Sequence, residues 1–131
     1  MNTFDILPLN KQLRNAIDDL GFVKPTPIQE QSFPVVRSGS DVVGIAQTGT
    51  GKTLAYMLPI LQDIKFQKID TPRVLILVPT RELVLQVVER VQEFSKYMNL
   101  RVLGVYGGTN INTQKKACAL GVDVVVATPG R

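Results

Sequence analysis

One stretch of this sequence has the residue types and spacing of a phosphate-binding loop (P-loop). Residues 46–53 read Ala-Gln-Thr-Gly-Thr-Gly-Lys-Thr, and they lie between a short apolar run and a stretch with helical periodicity. Two glycines allow the backbone to curve round a phosphate with its N–H groups pointing inward, and the N-terminus of the following helix adds further N–H groups. Lys52 can reach the β- and γ-phosphates, and the Thr53 hydroxyl can ligate Mg²⁺.

The pattern departs from the usual P-loop at one residue, since Ala46 stands where the first glycine is expected. The alternative is a glycine-rich turn with a surface lysine, and the flanking strand and helix argue against it. The sequence therefore predicts a nucleotide site formed by Ala46, Gln47, Thr48, Gly49, Thr50, Gly51, Lys52 and Thr53, with Lys52 as its catalytic side chain.

The elements that must position this loop alternate between strands and helices. Continuous apolar runs at residues 41–45, 73–78, 101–106 and 123–127 predict four strands, as in a parallel sheet buried on both faces. Apolar periodicity predicts helices at residues 9–20, 26–37, 54–61, 81–98 and 109–120, with Ile111 and Ala117 facing inward in the last of them. The predicted fold class is therefore α/β, a parallel sheet of at least four strands flanked by helices.

Four segments follow the ends of these strands, where open parallel sheets bind their ligands. The P-loop is one, and the others contain Thr80 and Arg81, Gly107 and Gly108, and residues 128–131. Backbone N–H groups, hydroxyls and arginines at such points suit a sugar–phosphate backbone. Taken singly, each segment could be an ordinary helix cap, turn or chain end; together, beside a P-loop, they favour nucleic acid.

Charge agrees with a second polyanionic ligand. The net charge is +4, and it lies entirely in residues 96–131, which hold five basic residues and one acidic residue. Such an imbalance beside a nucleotide site suggests nucleic acid. The alternative is that an acidic partner segment belongs elsewhere in a longer protein.

Composition excludes several other classes of function. The chain of 131 residues is 44% apolar and 20% charged, which suits one globular domain. It has no apolar run of membrane-spanning length and no signal-peptide pattern, so a cytoplasmic location without membrane contact is expected. Cys118 is the only cysteine and there is no histidine, which excludes an internal disulfide, a cysteine zinc site and imidazole catalysis.

Two N-terminal features have simple local explanations. Thr26, Pro27 and Gln29 form the pattern of a helix N-cap, first turn and capping box. Phe4 is isolated before the first helix and, on spacing alone, is interpreted as an apolar anchor for the N-terminal arm.

Five segments together resemble the N-terminal part of a DEAD-box ATP-dependent RNA helicase. They are Gly-Phe-x-x-Pro-Thr-Pro-Ile-Gln at residues 21–29, the P-loop, Pro-Thr-Arg-Glu-Leu-x-x-Gln at 79–86, Gly-Gly at 107–108 and Thr-Pro-Gly-Arg at 128–131. They occur in the order and at the spacing of that family, and alanine at position 46 is its own form of the loop. The resemblance implies a RecA-like fold, with ATP and Mg²⁺ as cofactors.

The resemblance also implies roles for individual residues. Gln29 would read the adenine edge with its amide, and Phe4 would pack on the base. RNA, single-stranded or duplex and of any sequence, would be held through its backbone by Thr80, Arg81, Gly107, Gly108, Thr128, Pro129, Gly130 and Arg131. Residues alone leave DNA open as the ligand, since backbone contacts distinguish RNA chiefly by its 2′-OH.

By this resemblance, residues 1–131 are an incomplete first helicase domain, with an adenine-reading extension at 1–40 and a P-loop core at 41–131. Hydrolysis needs a carboxylate on Mg²⁺ and a group that orients water, and neither has a candidate here. The family's Asp-Glu-Ala-Asp segment and second domain would come later in a longer protein, which would unwind RNA duplexes. We therefore expect a monomer that binds ATP and RNA weakly and barely hydrolyses ATP. A stand-alone nucleotide-binding module is the alternative, and a small P-loop kinase ranks last because no lid is evident.

Overall fold

The structure, a computed structural model, describes residues 3–47, 49, 51–64 and 71–131. The chain divides into two compact units, Met1–Lys65 with Phe94–Met98, and Phe66–Glu93 with Asn99–Arg131. The P-loop helix is grouped with the N-terminal helices, and the three strands form the second unit. The functional division at residue 40 stays a prediction.

The first unit is helical. A single 3₁₀ turn, Phe4–Ile6, precedes α1 (Lys11–Asp19), α2 (Pro27–Arg37) and α3 (Lys52–Asp63). Their apolar faces supply the buried side chains of this unit, which include Leu13, Ala16, Ile17, Phe33, Leu54, Ala55, Met57, Leu58 and Leu61. Within the described ranges, no helix is long and apolar enough to cross a membrane.

The second unit is a parallel sheet with helical connections. Strands β1 (Val74–Leu77), β2 (Val102–Val105) and β3 (Val124–Ala127) are joined by α4 (Arg81–Phe94) and α5 (Ile111–Ala119). The strand order is β1–β3–β2, and Ala127 of the central strand is in register with the last residue of each neighbour. The three strands therefore begin together at one side of the sheet, the amino edge, and end together at the other, the carboxyl edge.

A glycine in β2 allows helix α4 to pack closely on the sheet. A Cβ atom added to Gly104 would lie 2.8 Å from Cγ1 of Val84 and 3.1 Å from Cγ2 of Val88. The first of these separations is shorter than side chains tolerate without a shift. The predicted apolar stripe of α4 therefore contacts the sheet at the one strand residue that has no side chain.

An ion cluster ties the strands together at the amino edge. The fully buried Asp123 accepts hydrogen bonds from the backbone N–H of Arg101 at 2.9 Å and from the guanidinium groups of Arg101 and Arg73 at 3.1 Å. Burial alone would raise the pKa of the Asp123 carboxyl, but the bonds from Arg101 and Arg73 outweigh burial and lower it to about 2. The carboxylate is thus charged and shared by residues preceding all three strands.

The expected fourth strand is absent from the described sheet, so the prediction of at least four strands is wrong. Residues 41–45 are not assigned to a strand, and Val43 and Ile45 are 88% and 90% exposed. An apolar run forms a strand only where a neighbour pairs with its N–H and C=O groups and covers its side chains. The described sheet contains β1, β3 and β2 alone. High strand propensity at 41–45 is therefore not sufficient to form a fourth strand.

Helix α5 is also less buried than its pattern indicated. The prediction that Ile111 faces inward is wrong, because its side chain is 42% exposed, and Ala117 is only half-buried. None of the nine residues of α5 is fully buried. Its sequence has too few large apolar residues for a continuous stripe, so the helix lies on the surface of its unit.

Candidate nucleotide and nucleic-acid sites

Helix α3 begins at the P-loop, as a phosphate site requires. Gly51 is its N-cap, with φ 80° and ψ 34°, and Gly49 has φ 82°. These left-handed conformations suit glycine, because a side chain would be strained there. The first N–H groups of α3 have no acceptor within the helix, so they are available to an anion. Thr48 and Thr50 lie outside the described residues.

The P-loop side chains have the exposure that ligand binding needs. Lys52 is exposed and has no hydrogen-bond or ion-pair partner within the described ranges. Thr53 is half-buried and hydrogen-bonds to Tyr56; burial raises the pKa of the Tyr56 phenol, and this bond opposes the rise. Ala46 is half-buried and Gln47 exposed. The described part of the chain has no group of three His, Cys, Asp or Glu side chains that could hold a metal ion by themselves.

Gln29 joins the start of α2 to the P-loop. Its side chain is 4% exposed, and its Oε1 accepts from the backbone N–H of Thr26 at 2.9 Å, as the predicted capping box requires. Its Nε2 donates to the backbone carbonyl of Gly51 at 3.2 Å, a contact that the local pattern could not predict. An amide has two N–H donors and two oxygen lone pairs, so one donor and one acceptor remain. That remaining pair is what adenine N7 and N6-H₂ would require.

The same contact gives Gly51 a second reason to be glycine. An added Cβ atom would overlap Nε2 of Gln29 and would lie 3.5 Å from Cγ2 of Thr26. A side chain at position 51 would therefore displace the Gln29 amide from its place beside the N-cap of α3.

Phe4 is an apolar anchor in this structure. Its side chain is 6% exposed, its N–H donates to the carbonyl of Val23 at 3.1 Å, and its own carbonyl accepts from Nη2 of Arg14 at 3.1 Å. The local interpretation of Phe4 is confirmed. Its packing on a nucleotide base stays a prediction.

The carboxyl edge brings together the other three predicted segments. The backbone N–H of Val78 donates to the carbonyl of Ala127 at 3.0 Å, and that of Thr128 donates to the carbonyl of Val105 at 3.2 Å. Adjacent strands lie about 4.8 Å apart, so the residues that follow β1, β3 and β2 form a row. This row contains Thr80, Arg81, Gly107, Gly108, Thr128, Pro129, Gly130 and Arg131, and all but the half-buried Thr128 and Arg131 are exposed.

Two side chains of the row also have structural partners. Thr80 Oγ1 accepts from the N–H of Leu83 at 3.2 Å, which is the contact of a helix N-cap residue. Nη2 of Arg131 donates to the carbonyl of Thr109 at 3.1 Å, so this guanidinium links the end of β3 to the residue after the two glycines. Both contacts leave further donor and acceptor capacity for a ligand.

Arg81 has an aromatic neighbour that the pattern did not single out. Its Cζ lies 5.0 Å from the ring centroid of Tyr106, within range of a cation–π interaction that restrains the guanidinium at the surface. An aromatic residue directly before the two glycines is the signal that could have identified it. Tyr106 and Arg81 bring the ends of β2 and β1 into side-chain contact.

The backbone conformation requires glycine at position 108 but not at position 107. Gly108 has φ 84°, a left-handed conformation that disfavours any side chain, whereas Gly107 has no positive φ and no atom within 4 Å of an added Cβ. Nothing in the described residues therefore requires glycine at position 107. Close approach of a ligand is a remaining reason.

Known proteins resemble this chain over almost all of its length. A family model for DEAD/DEAH box helicases matches residues 26–131. The chain is 44% identical over 131 residues to the ATP-dependent RNA helicase DeaD of Buchnera aphidicola subsp. Acyrthosiphon pisum, covering 99% of this chain and 22% of the relative. It is 45% identical over 130 residues to DeaD of Escherichia coli K12, covering 98% and 20%.

A third relative matches somewhat less of this chain. The pre-mRNA-processing ATP-dependent RNA helicase PRP5 of Lodderomyces elongisporus is 49% identical over 118 residues, covering 87% of this chain and 12% of the relative. The chain spans about a fifth of the length of the DeaD relatives. Because the family model matches well over half of its residues, the chain belongs to the DEAD/DEAH box helicase family.

Proposed function

We propose that this chain is the ATP-binding and RNA-contacting part of an ATP-dependent RNA helicase. The observation that carries the proposal is the bond from Gln29 to Gly51, because it joins the candidate adenine reader to the candidate phosphate loop. The N–H groups at the start of α3 would hold the phosphates of ATP, and Lys52 would add positive charge. Residues 1–40 would supply the adenine selection, and residues 41–131 the phosphate and RNA contacts.

Thr53 would ligate Mg²⁺ bound with the nucleotide. The hydroxyl oxygen of Thr53 has lone pairs, which are what a hard cation requires. ATP itself would supply the leaving group and the free energy that a helicase uses. In a longer protein these contacts would couple ATP hydrolysis to the unwinding of RNA duplexes.

We expect this chain to bind ATP but to hydrolyse it very slowly. Phosphoryl transfer to water needs a carboxylate to hold Mg²⁺. Asp123 does not supply it, because its carboxylate is buried at the amino edge and bonded to two arginines. An ATPase assay with and without RNA tests this step, and RNA-stimulated turnover by this chain would contradict it.

The adenine and phosphate roles can be tested separately by nucleotide titration. We expect Lys52→Ala to weaken ATP and GTP alike, because a phosphate contact does not distinguish the bases. Gln29→Ala should reduce the ratio of ATP to GTP affinity, a readout that general destabilisation does not change. The matched controls are Lys11→Ala and Gln12→Ala, which replace exposed residues of α1. An unchanged ATP/GTP ratio in Gln29→Ala would refute the adenine role.

The carboxyl edge would hold the RNA backbone. Its hydroxyls, exposed backbone and arginines contact phosphate and sugar without reading bases, so we expect binding of any RNA sequence. The positive charge of residues 96–131 adds a long-range attraction.

A further inference from the structure

One amide outside the predicted sites spans the turn formed by Gly107 and Gly108, here called the double-glycine turn. Nε2 of Gln114, in α5, donates to the carbonyl of Tyr106 at 2.9 Å and also to Oγ1 of Thr109. Tyr106 is the residue before the two glycines, and Thr109 is the residue after them. A single side chain therefore joins both sides of the turn.

The double-glycine turn has few other restraints. Within the described residues, no atom lies within 4 Å of a Cβ added to either glycine. Thr109 Oγ1 donates to the carbonyl of Tyr106 at 3.3 Å, and Arg131 donates to the carbonyl of Thr109. Glycine loses more conformational freedom on ordering than any other residue. Contacts that bracket the turn therefore decide how well its conformation is defined.

Stability alone does not explain a glutamine at position 114. Its Oε1 is buried and has no hydrogen-bond partner among the described residues, which is unfavourable. A methionine of similar size would leave no buried oxygen unpaired. What glutamine adds is the N–H donor that reaches both sides of the turn.

We propose that Gln114 is a positioning residue for the candidate RNA site. Its amide holds the double-glycine turn in the conformation that contacts the RNA backbone, so binding does not have to order two glycines. This inference rests on the proposed function, because it assigns Gln114 to the same RNA site. It adds a residue outside the segments from which the site was predicted.

The test compares Gln114→Met with wild-type chain in titrations of a short fluorescent oligouridylate. Methionine keeps the volume and removes both bonds, so we expect the dissociation constant for RNA to rise by roughly tenfold. ATP affinity should not change, and the dependence of RNA affinity on salt should keep its slope, since no phosphate contact is lost. Gln92→Met, at an exposed residue of α4, is the matched control.

A second variant protects the test against a folding defect. Thr109→Val removes the hydroxyl that Gln114 contacts, at an exposed position. If the two side chains act together, the double variant should lose less affinity than the product of the single losses. The expected increase for Thr109→Val alone is about threefold.

The outcomes separate this inference from the proposed function. If wild-type chain binds RNA and Gln114→Met binds it equally well, the positioning role is wrong while RNA binding stands. If wild-type chain binds no RNA even at low salt, both are wrong. Losses that multiply independently in the double variant would also overturn the shared role of Gln114 and Thr109.

Discussion

The two edges of the three-stranded sheet differ in how their polar groups are satisfied. At the amino edge, Asp123 is fully buried and its carboxylate is bonded by Arg73 and Arg101. At the carboxyl edge, arginines, hydroxyls and glycines lie mostly exposed, and Arg81 lies against the ring of Tyr106. Both edges carry arginines, but among the described residues only those at the amino edge bond to a carboxylate.

This difference assigns stability to the amino edge of the sheet and ligand binding to its carboxyl edge. At the amino edge the Asp123 carboxylate is bonded by Arg73 and Arg101, so this cluster ties the strands together and has little to offer a ligand. Among the described residues, Arg81 and Arg131 form no ion pair with a carboxylate, so a polyanion can provide the counterion. Substitutions at the two edges should therefore have different effects on stability and on RNA affinity.

The largest expected effect is on stability, at the amino edge. Asp123→Ala removes the buried carboxylate that Arg73 and Arg101 share, and we expect the free energy of unfolding to fall by about 3 kcal/mol. Denaturant titration measures this, with Glu93→Ala as a control because its partner Arg90 is exposed. A change no larger than that of the control would show that the cluster does not hold the sheet.

Asp123 at the amino edge should also make the free energy of unfolding depend on pH. The pKa of Asp123 is about 2 in the folded chain and about 3.9 when unfolded, so the unfolded state binds a proton first. The resulting stabilisation, between about 2 and 3 kcal/mol, is present above pH ~4 and is lost as the pH falls through about 2. The free energies of unfolding of wild type and Asp123→Asn, compared from pH 7 to pH 2, isolate the contribution of the carboxylate. Their difference should become smaller as the pH falls. A constant difference would contradict the assignment.

A smaller effect on stability is expected where a carboxyl-edge residue also caps a helix. Thr80→Ala removes the acceptor for the N–H of Leu83 and should cost about 1 kcal/mol, whereas Thr80→Ser should restore the cap. RNA affinity should follow the same order if the hydroxyl contacts RNA as well. Equal RNA affinity in all three proteins would limit Thr80 to capping.

The smallest expected effect on stability, combined with a clear effect on binding, is at Gly107. Its added Cβ meets nothing within 4 Å, so Gly107→Ala should change the free energy of unfolding by less than about 0.5 kcal/mol. It should weaken RNA binding, because the methyl group would occupy space that the backbone of RNA approaches. Asn112→Ala, at an exposed residue of α5, is the control. Unchanged RNA affinity would place Gly107 outside the site.

Elements that depend on local pattern were predictable from the sequence. The continuous apolar runs of β1 and β3, the capping box of α2 and the start of α3 follow from composition and spacing within a few residues. Residues 41–45 contain two valines and an isoleucine, but strand formation there depends on pairing with another segment. Sequence alone does not show whether that pairing occurs.

Contacts distant in sequence were not predictable in the same way. The bond from Gln29 to Gly51 and the bonds from Arg73 and Arg101 to Asp123 join residues more than twenty positions apart. The sequence gives only weak evidence for the role of Gln114. This residue lies one turn after Ile111, on the helix face that the pattern predicts to point inward. A polar residue on such a face indicates a specific partner, but the pattern does not name it.

The most direct test of RNA binding at the carboxyl edge is the salt dependence of RNA affinity in wild type and Arg81→Ala. Each phosphate contact to single-stranded nucleic acid contributes about 0.7 to the slope of log affinity against log salt concentration. We predict that the wild-type chain binds oligouridylate with a negative slope. For Arg81→Ala we expect this slope to be shallower by the contribution of about one phosphate contact, with unchanged ATP affinity. Equal slopes in the two proteins, or no RNA binding by wild type at low salt, would contradict the assignment of the carboxyl edge to RNA.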